Sequence, residues 1–319
     1  MTLIRQPTPE NILLAARSLK DGALIGLPTE TVYGLAADAE NERAVRRIYE
    51  VKGRPLNHPV IVHIGSIEYM DVWAKNIPHY AQSLAETFWP GPLTLILHRS
   101  EIAKNFVTGG QNSIGIRIPN HKIALSIIKT FHELGGKGIA APSANIFSKV
   151  SPTTSIDVEH SIGSKLLKEI DIIVDGGKSS IGIESTIIDC TGKKPNILRK
   201  GKFSAADFDM DFDNSFVNAK NKIRFSGNYD KHYAPDARIL VNEIPLDGDG
   251  YIGKSIKGIK SSVEVLLQPI NTEELGEGLY EAFLRADKLG LKRIIINTEG
   301  FTGVFMEAIL DRVKRATND

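Results

Sequence analysis

Short β-branched runs alternate with helical periods from the N-terminus to about residue 203, and then the alternation stops. A pattern that switches between periods of two and of three to four residues folds as layers of helix on sheet, so an α/β architecture is predicted. Candidate strands are 23–29, 60–64, 93–97, 114–119, 138–143, 171–175, 185–190 and 196–199. Helical periods fall at 41–51, 79–88 and 121–134. Several intervening segments are too short for a crossover helix, which predicts a mixed sheet. Near the start, Thr8 reads as an N-cap with Pro9 at the first helical position, and Ile12, Leu13, Ala16 and Leu19 form an apolar stripe. With Arg5, Pro7, Pro9 and Glu10 in it, this segment reads as a helix start and not as a secretory signal.

Residues 204–236 are rich in Asp and Asn and lack periodicity, and are read as a linker. A smaller unit follows at 237–319, with strands at 238–244, 262–268 and 292–297 and helices at 273–289 and 302–316. Its order predicts a small Rossmann-like α/β layer. The chain of 319 residues is long enough for two cores of this kind.

Charge and cysteine content narrow the function. With 39 Lys plus Arg against 38 Asp plus Glu, a protein that holds nucleic acid mainly by covering phosphates is disfavoured. Cys190 is the single cysteine, so neither an internal disulfide nor a Cys-rich zinc module can form, and the reducing cytoplasm is the expected compartment. No apolar run reaches the roughly 18 residues of a membrane helix.

Two attractive motifs fail on spacing. GGKSS (176–180) resembles the end of a phosphate loop, but Ile172 stands where Walker A requires its first glycine, leaving a turn. Asp207, Asp209, Asp211 and Asp213 imitate a calcium loop, but Phe212 replaces the turn glycine and Asn218 the final glutamate. A solvated segment with some buried Phe is the expectation there.

Other stretches carry chemistry. PTETVYGL (28–35) ends an apolar strand with hydroxyls and backbone donors, as a ligand turn or a self-satisfied one. In KGRPLNHPVIVHI (52–64), Lys52 and Arg54 leave a helix in a turn stiffened by Gly and Pro; two cations so close repel unless an anion lies beside them, and phosphate or carboxylate fits. His58 and His63 flank the following strand, where histidines are commonly structural. APSANIFSKVSPT (141–153) releases Ser143, Asn145, Ser148, Ser151 and Thr153 after a strand, suited to phosphate or ribose oxygens and equally to ordinary turns. Arg117 in IGIRIP and Arg199 in ILRKG are charges in strand patterns, which need either a partner or an exposed edge.

Taken in order, PTETVYGL, KGRPLNHPVIVHI, WPGPLTLIL (89–97), APSAN, ESTIID (184–189) and LRKG resemble the YrdC-like family, and the whole chain resembles its long two-domain members. The resemblance implies a YrdC-like twisted mixed sheet with flanking helices over 1–203, a linker over 204–236 ending in HYAP, and the C-terminal Rossmann-like domain over 237–319. It further implies an enzyme that condenses L-threonine, bicarbonate and ATP into threonylcarbamoyl-AMP, releasing pyrophosphate. Mg²⁺ would come with ATP, no protein-held metal is implied, and partner transferase proteins would pass the group to a tRNA adenosine, so tRNA is met indirectly.

Carried over by motif, Lys52 and Arg54 are the expected catalytic pair. Arg54, His58, Ser113, Ser143, Asn145, Ser151, Arg199 and Tyr233 are expected on ATP. Thr31, His63, Arg117, Ala141 and Ser185 are expected on threonine, with Thr31 preferred to Thr29 and Arg117 as the carboxylate clamp. The linker departs from the family in SGNYDK (226–231), where Asp230 replaces a usual aromatic. Two rival readings remain: carbamoyl-adenylate formation, as in hydrogenase-maturation relatives that carry zinc-binding Cys clusters, and a non-catalytic RNA-binding module.

Overall fold

The Thr8 hydroxyl accepts the Asn11 amide at 3.3 Å and Pro9 opens the helix Pro9–Lys20, so this helix begins where the cap signal places it. Its buried side is Ala15, Ala16 and Leu19; Leu13, predicted on the apolar stripe, is exposed. The computed structural model describes residues 3–212, 223–225, 227 and 233–317. Asp213 and Asn218 of the failed calcium loop, Ser226 and residues 228–231 of SGNYDK, and His232 of HYAP lie outside the described residues.

Ten strands form the first sheet: β1 (Ile4–Arg5), β2 (Ile25–Leu27), β3 (Gly34–Asp38), β4 (Ile61–His63), β5 (Leu93–His98), β6 (Ser113–Arg117), β7 (Ile139–Ala140), β8 (Ile172–Val174), β9 (Thr186–Asp189) and β10 (Asn196–Arg199). Their spatial order is β1-β8-β2-β3-β7-β4-β6-β5-β9-β10. Parallel pairs such as β4–β6 and β5–β9 alternate with antiparallel ones such as β5–β6 and β3–β7, giving the predicted mixed sheet. Helices pack on it through apolar stripes, each fully buried Val, Leu or Ile contributing roughly 1.5–3 kcal/mol.

Four parallel strands make the second sheet: β11 (Arg238–Val241), β12 (Gly250–Ile252), β13 (Glu264–Leu267) and β14 (Arg293–Ile296), ordered β11-β14-β12-β13. Helices Thr272–Lys288 and Val304–Ala316 pack on it, completing the predicted α/β layer. The strand predicted over 238–244 stops at Val241, because Asn242 turns to φ 57° and Pro245 follows.

The two layers share a core. Val32, Val150 and Ile183 of the first unit pack in one apolar cluster with Leu279, Tyr280 and Phe283 of the second. Gly182, at φ 80°, lies so close to the Thr272–Lys288 helix that a Cβ there would stand 2.3 Å from the Gly276 carbonyl oxygen. Only glycine meets both demands. At the turn after β8, GGKSS is a turn as expected. Phe208 is buried while Asp207, Asp209 and Asp211 are exposed, as expected of a solvated segment.

Candidate active site

Asn41 caps the helix Glu42–Lys52 through the Ala44 amide, and Gly53 ends it in the left-handed region at φ 62°. That turn sends Lys52 and Arg54 in different directions. The Lys52 ammonium donates to the backbone carbonyls of Ser143 and, at 2.6 Å, Asn145. The Arg54 guanidinium donates to the Pro59 carbonyl at 2.8 Å and lies over the Phe147 ring at 5.8 Å. Each cation thus has partners of its own within the chain. Burial first, and Arg54 second, push the Lys52 ammonium well below its ordinary pKa.

Parallel pairing of β4 with β6 sets His63 directly beside Arg117. β6 lies inside the sheet, so Arg117 is a buried charge with partners and not an exposed edge residue. Its Nε donates to the Gly91 carbonyl at 3.1 Å and its Nη1 to the Thr31 hydroxyl at 2.9 Å. Its Nη2 stands 2.6 Å from the Glu30 carboxylate, both side chains being buried. Thr29 donates to the Val32 carbonyl at 2.6 Å and meets Thr31 at 2.9 Å, so the two threonines form a chain that aims Thr31 at the guanidinium. Burial, then Arg117, depress His63 to a pKa of about 3, so the ring is neutral near pH 7, and its Nδ1 is buried without a hydrogen-bond partner.

These groups meet in one cavity of ≈ 50 Å³, lined by Thr29, Thr31, Arg54, His63, Arg117, Ala141, Ser143, Glu184, Ser185, Arg199 and Tyr233 among others. Arg199, on edge strand β10, is nevertheless buried, donating through Nε to the Ser185 carbonyl at 3.0 Å and through Nη2 to the Ser185 hydroxyl at 3.1 Å. Ser185 also meets Thr94 at 2.7 Å. Tyr233, in the left-handed region at φ 65°, stacks on Tyr280 at 5.8 Å.

Nine of the fourteen expected site residues therefore line one space: Thr31, Arg54, His63, Arg117, Ala141, Ser143, Ser185, Arg199 and Tyr233. Lys52, His58, Ser113, Asn145 and Ser151 do not line it. Lys52 sits behind the loop that carries Ser143. Asn145 donates within that loop to the carbonyls of Ile146 and Lys149. His58 packs edge-on against Phe147 at 5.9 Å, and burial, Arg54 and Arg224 lower its pKa to about 4. Ser113 lines a neighbouring, mainly apolar cleft with Thr94, Ile96, Arg224 and Phe225. Ser151 donates to Glu184 at 2.7 Å.

The sequence reading missed Glu30, Glu184, Tyr280 and Arg312. Glu30 and Glu184 were inside quoted motifs; a buried Arg117 implies a nearby carboxylate, but no spacing says which. Arg312 left a fainter trace, as the one charge among Ala308, Ile309, Val313 and Ala316 on a buried helical stripe.

Chemically, three guanidinium groups and one buried carboxylate face a single small space, an arrangement complementary to anionic reactants. Among the described residues no group of three or more His, Cys, Asp or Glu side chains stands together as a metal cage. No helix of the described residues is long and apolar enough to cross a membrane.

Two family models and several known proteins match this chain. The Sua5/YciO/YrdC family, described as "Telomere recombination", matches residues 17–201, and the "Threonylcarbamoyl-AMP synthase, C-terminal domain" matches residues 196–318. A threonylcarbamoyl-AMP synthase of Pyrococcus abyssi is 36% identical over 96% of this chain and 94% of its own length. One from Bacillus subtilis is 34% identical over 96% and 92%. The crystal structure of P. abyssi Sua5 complexed with L-threonine superposes with a TM-score of 0.86 at 34% identity, covering 99% of this chain and 98% of that one.

Proposed function

We propose, for a chain that belongs to the two-domain Sua5 family, that it is an L-threonylcarbamoyladenylate synthase, a nucleotidyltransferase using L-threonine, bicarbonate and the Mg²⁺ complex of ATP. The observation that carries this reading is the convergence of Arg54, Arg117 and Arg199 on one cavity together with the neutral His63. The division into 1–203, 204–236 and 237–319 belongs to the same proposal, and two separate sheets support it.

In this reading Arg117, held from three sides, receives the threonine carboxylate beside Thr31, Ala141 and Ser185. Neutral His63 offers Nδ1 as an acceptor to the substrate's polar end. Bicarbonate and the threonine amine give a carbamate, losing water. One carbamate oxygen then attacks the α-phosphorus of ATP: the new P–O bond forms as the bond to the β-phosphate breaks, and pyrophosphate leaves with the electron pair. The nucleophile is already anionic, so the protein's task is to place two negative reactants together and neutralise their repulsion, for which Arg54 and Arg199 are suited. Mg²⁺ arrives as part of the substrate, its ligands mostly phosphate oxygens and water. Lys52 acts at one remove, fixing the Ser143–Asn145 loop. Transfer of the group to tRNA would fall to partner proteins in the cytoplasm.

Incubation with ATP, Mg²⁺, bicarbonate and each amino acid in turn, followed by mass analysis, tests the reading. A threonine-dependent adenylate carrying one added carboxyl carbon is expected. Pyrophosphate release that ignores threonine would sink it.

A further inference from the structure

Most ion pairs that join the second unit to the first lie at the surface: Lys178 with Glu281, Lys200 with Glu307, and Lys202 with Glu273 all involve exposed or half-exposed side chains. Such pairs contribute little. Arg312 differs. Its side chain is fully buried on the helix Val304–Ala316, and its Nε donates at 2.8 Å to Glu184, which belongs to the first unit and lines the cavity. Nη2 donates to the Lys200 carbonyl at 2.9 Å and Nη1 to Asp311 at 2.7 Å, while the guanidinium lies 5.3 Å from the Tyr233 ring. Tyr280, from the other helix of the second unit, donates to Glu184 at 3.1 Å, and Ser151 donates at 2.7 Å.

A buried ion pair costs desolvation that an apolar pair of the same volume would avoid, so packing alone does not account for it. The position of Glu184 offers a reason. A bare carboxylate in the wall of a cavity meant for phosphate would repel the ligand and would also attract Arg199, whose charge is close enough to couple to it. Three donors now hold Glu184 instead, and Arg199 is held by Ser185.

We propose that Arg312 is a positioning residue for the nucleotide half of the cavity: by engaging Glu184 it keeps that carboxylate from capturing Arg199, so the second unit completes a site whose lining belongs to the first unit and linker. The proposal rests on the reading of Arg199 as a phosphate-binding group. Burial works to raise the Glu184 pKa, but Arg312 and then Arg199 outweigh it and hold the group ionised, consistent with a carboxylate that needs constant neutralisation.

The test is paired binding by calorimetry on the full chain, with α,β-methylene ATP plus Mg²⁺ as one probe and L-threonine as the other. Arg312→Met is expected to weaken the nucleotide analogue on the order of 10–100-fold, the loss typical when a buried charge is left unpaired, with threonine affinity held within about twofold. Adding Glu184→Gln to Arg312→Met should recover most of the lost nucleotide affinity, because no carboxylate remains to compete for Arg199. Equal loss on both probes, or no recovery in the double variant, overturns the proposal; an ion pair that served stability alone would not single out the nucleotide. Should Arg312→Met fail to fold, Arg312→Lys keeps the charge without the planar fork and is expected to show a smaller, still nucleotide-selective loss; an unselective loss overturns it equally. Wild-type protein binding neither probe would instead strike the proposed function.

Discussion

The two sides of the cavity are built differently. His63 and Arg117 stand on β4 and β6, where ladder register fixes each against its neighbour, Ala141 follows β7, and Thr31 is tied to them by its hydrogen bonds to Thr29 and Arg117. Glu184, Arg199 and Tyr233 stand on loops and an edge strand, and part of their support comes from Tyr280 and Arg312 of the other unit. The first side is rigid because the sheet interior leaves it no alternative. The second is correct only when both units are in place. If threonine takes the first side and nucleotide the second, the amino acid meets a preformed site and the nucleotide meets one that depends on assembly.

The hardest way to break this comparison is at Arg117. Arg117→Met removes a cation held by three acceptors and leaves Glu30 as a buried, unpaired carboxylate. A stability loss of about 3–5 kcal/mol in chemical denaturation is expected, together with loss of threonine-dependent pyrophosphate release by about 10³-fold. Near-normal turnover in the variant would remove Arg117 from the amino-acid side.

Arg54 lines the same cavity and is expected to act on the nucleotide. Arg54→Ala should lower adenylate formation by roughly 10²–10³-fold, as for one preorganised donor. Threonine affinity without nucleotide should stay nearly constant. If threonine affinity fell in step with turnover, the division into two halves would be wrong.

Lys52 tests whether support and chemistry separate. Lys52→Met orphans the carbonyls of Ser143 and Asn145, each costing roughly 1–3 kcal/mol, partly offset by no longer burying an ammonium. A fall in thermal stability with a raised KM for ATP is expected. An unchanged melting temperature with abolished turnover would return Lys52 to the reacting atoms.

What the sequence revealed follows the same division. The pairing of His63 with Arg117 was within reach because both lie in strong β-branched runs, and register then did the rest. Strand β3, Gly34–Asp38, was hidden because GLAAD has no β-branched residue; it is a strand because β2 and β7 pair with it on both sides, a tertiary effect that propensity does not encode. β12, Gly250–Ile252, is a strand for the same reason, since β13 and β14 pair with it on both sides. The residues gathered around Glu184 are illegible for another reason: Ser151, Tyr280 and Arg312 lie 33, 96 and 128 positions from it, and no periodicity spans such separations. Ser113, placed by motif alone, stands beside a different cleft from the one that gathers the arginines.

The smallest effect is a pH dependence that belongs to the sheet-borne side. His63 has its pKa lowered to about 3 by burial and by Arg117, against an ordinary value of 6.5. Below pH 6.5 the unfolded chain takes up a proton on this ring that the folded chain refuses. Stability is therefore complete above 6.5 and declines as pH falls toward 3, at about 1.4 kcal/mol per pH unit for this group. His58, lowered to about 4, adds a similar slope, so the informative measurement is a difference. His63→Gln removes one titrating group, and between pH 7 and pH 5 its stability should fall about 2 kcal/mol less than that of the wild type in urea titrations. Parallel curves for the two proteins would mean that His63 is solvated or already paired in the folded state, and that the sheet side is looser than its register implies.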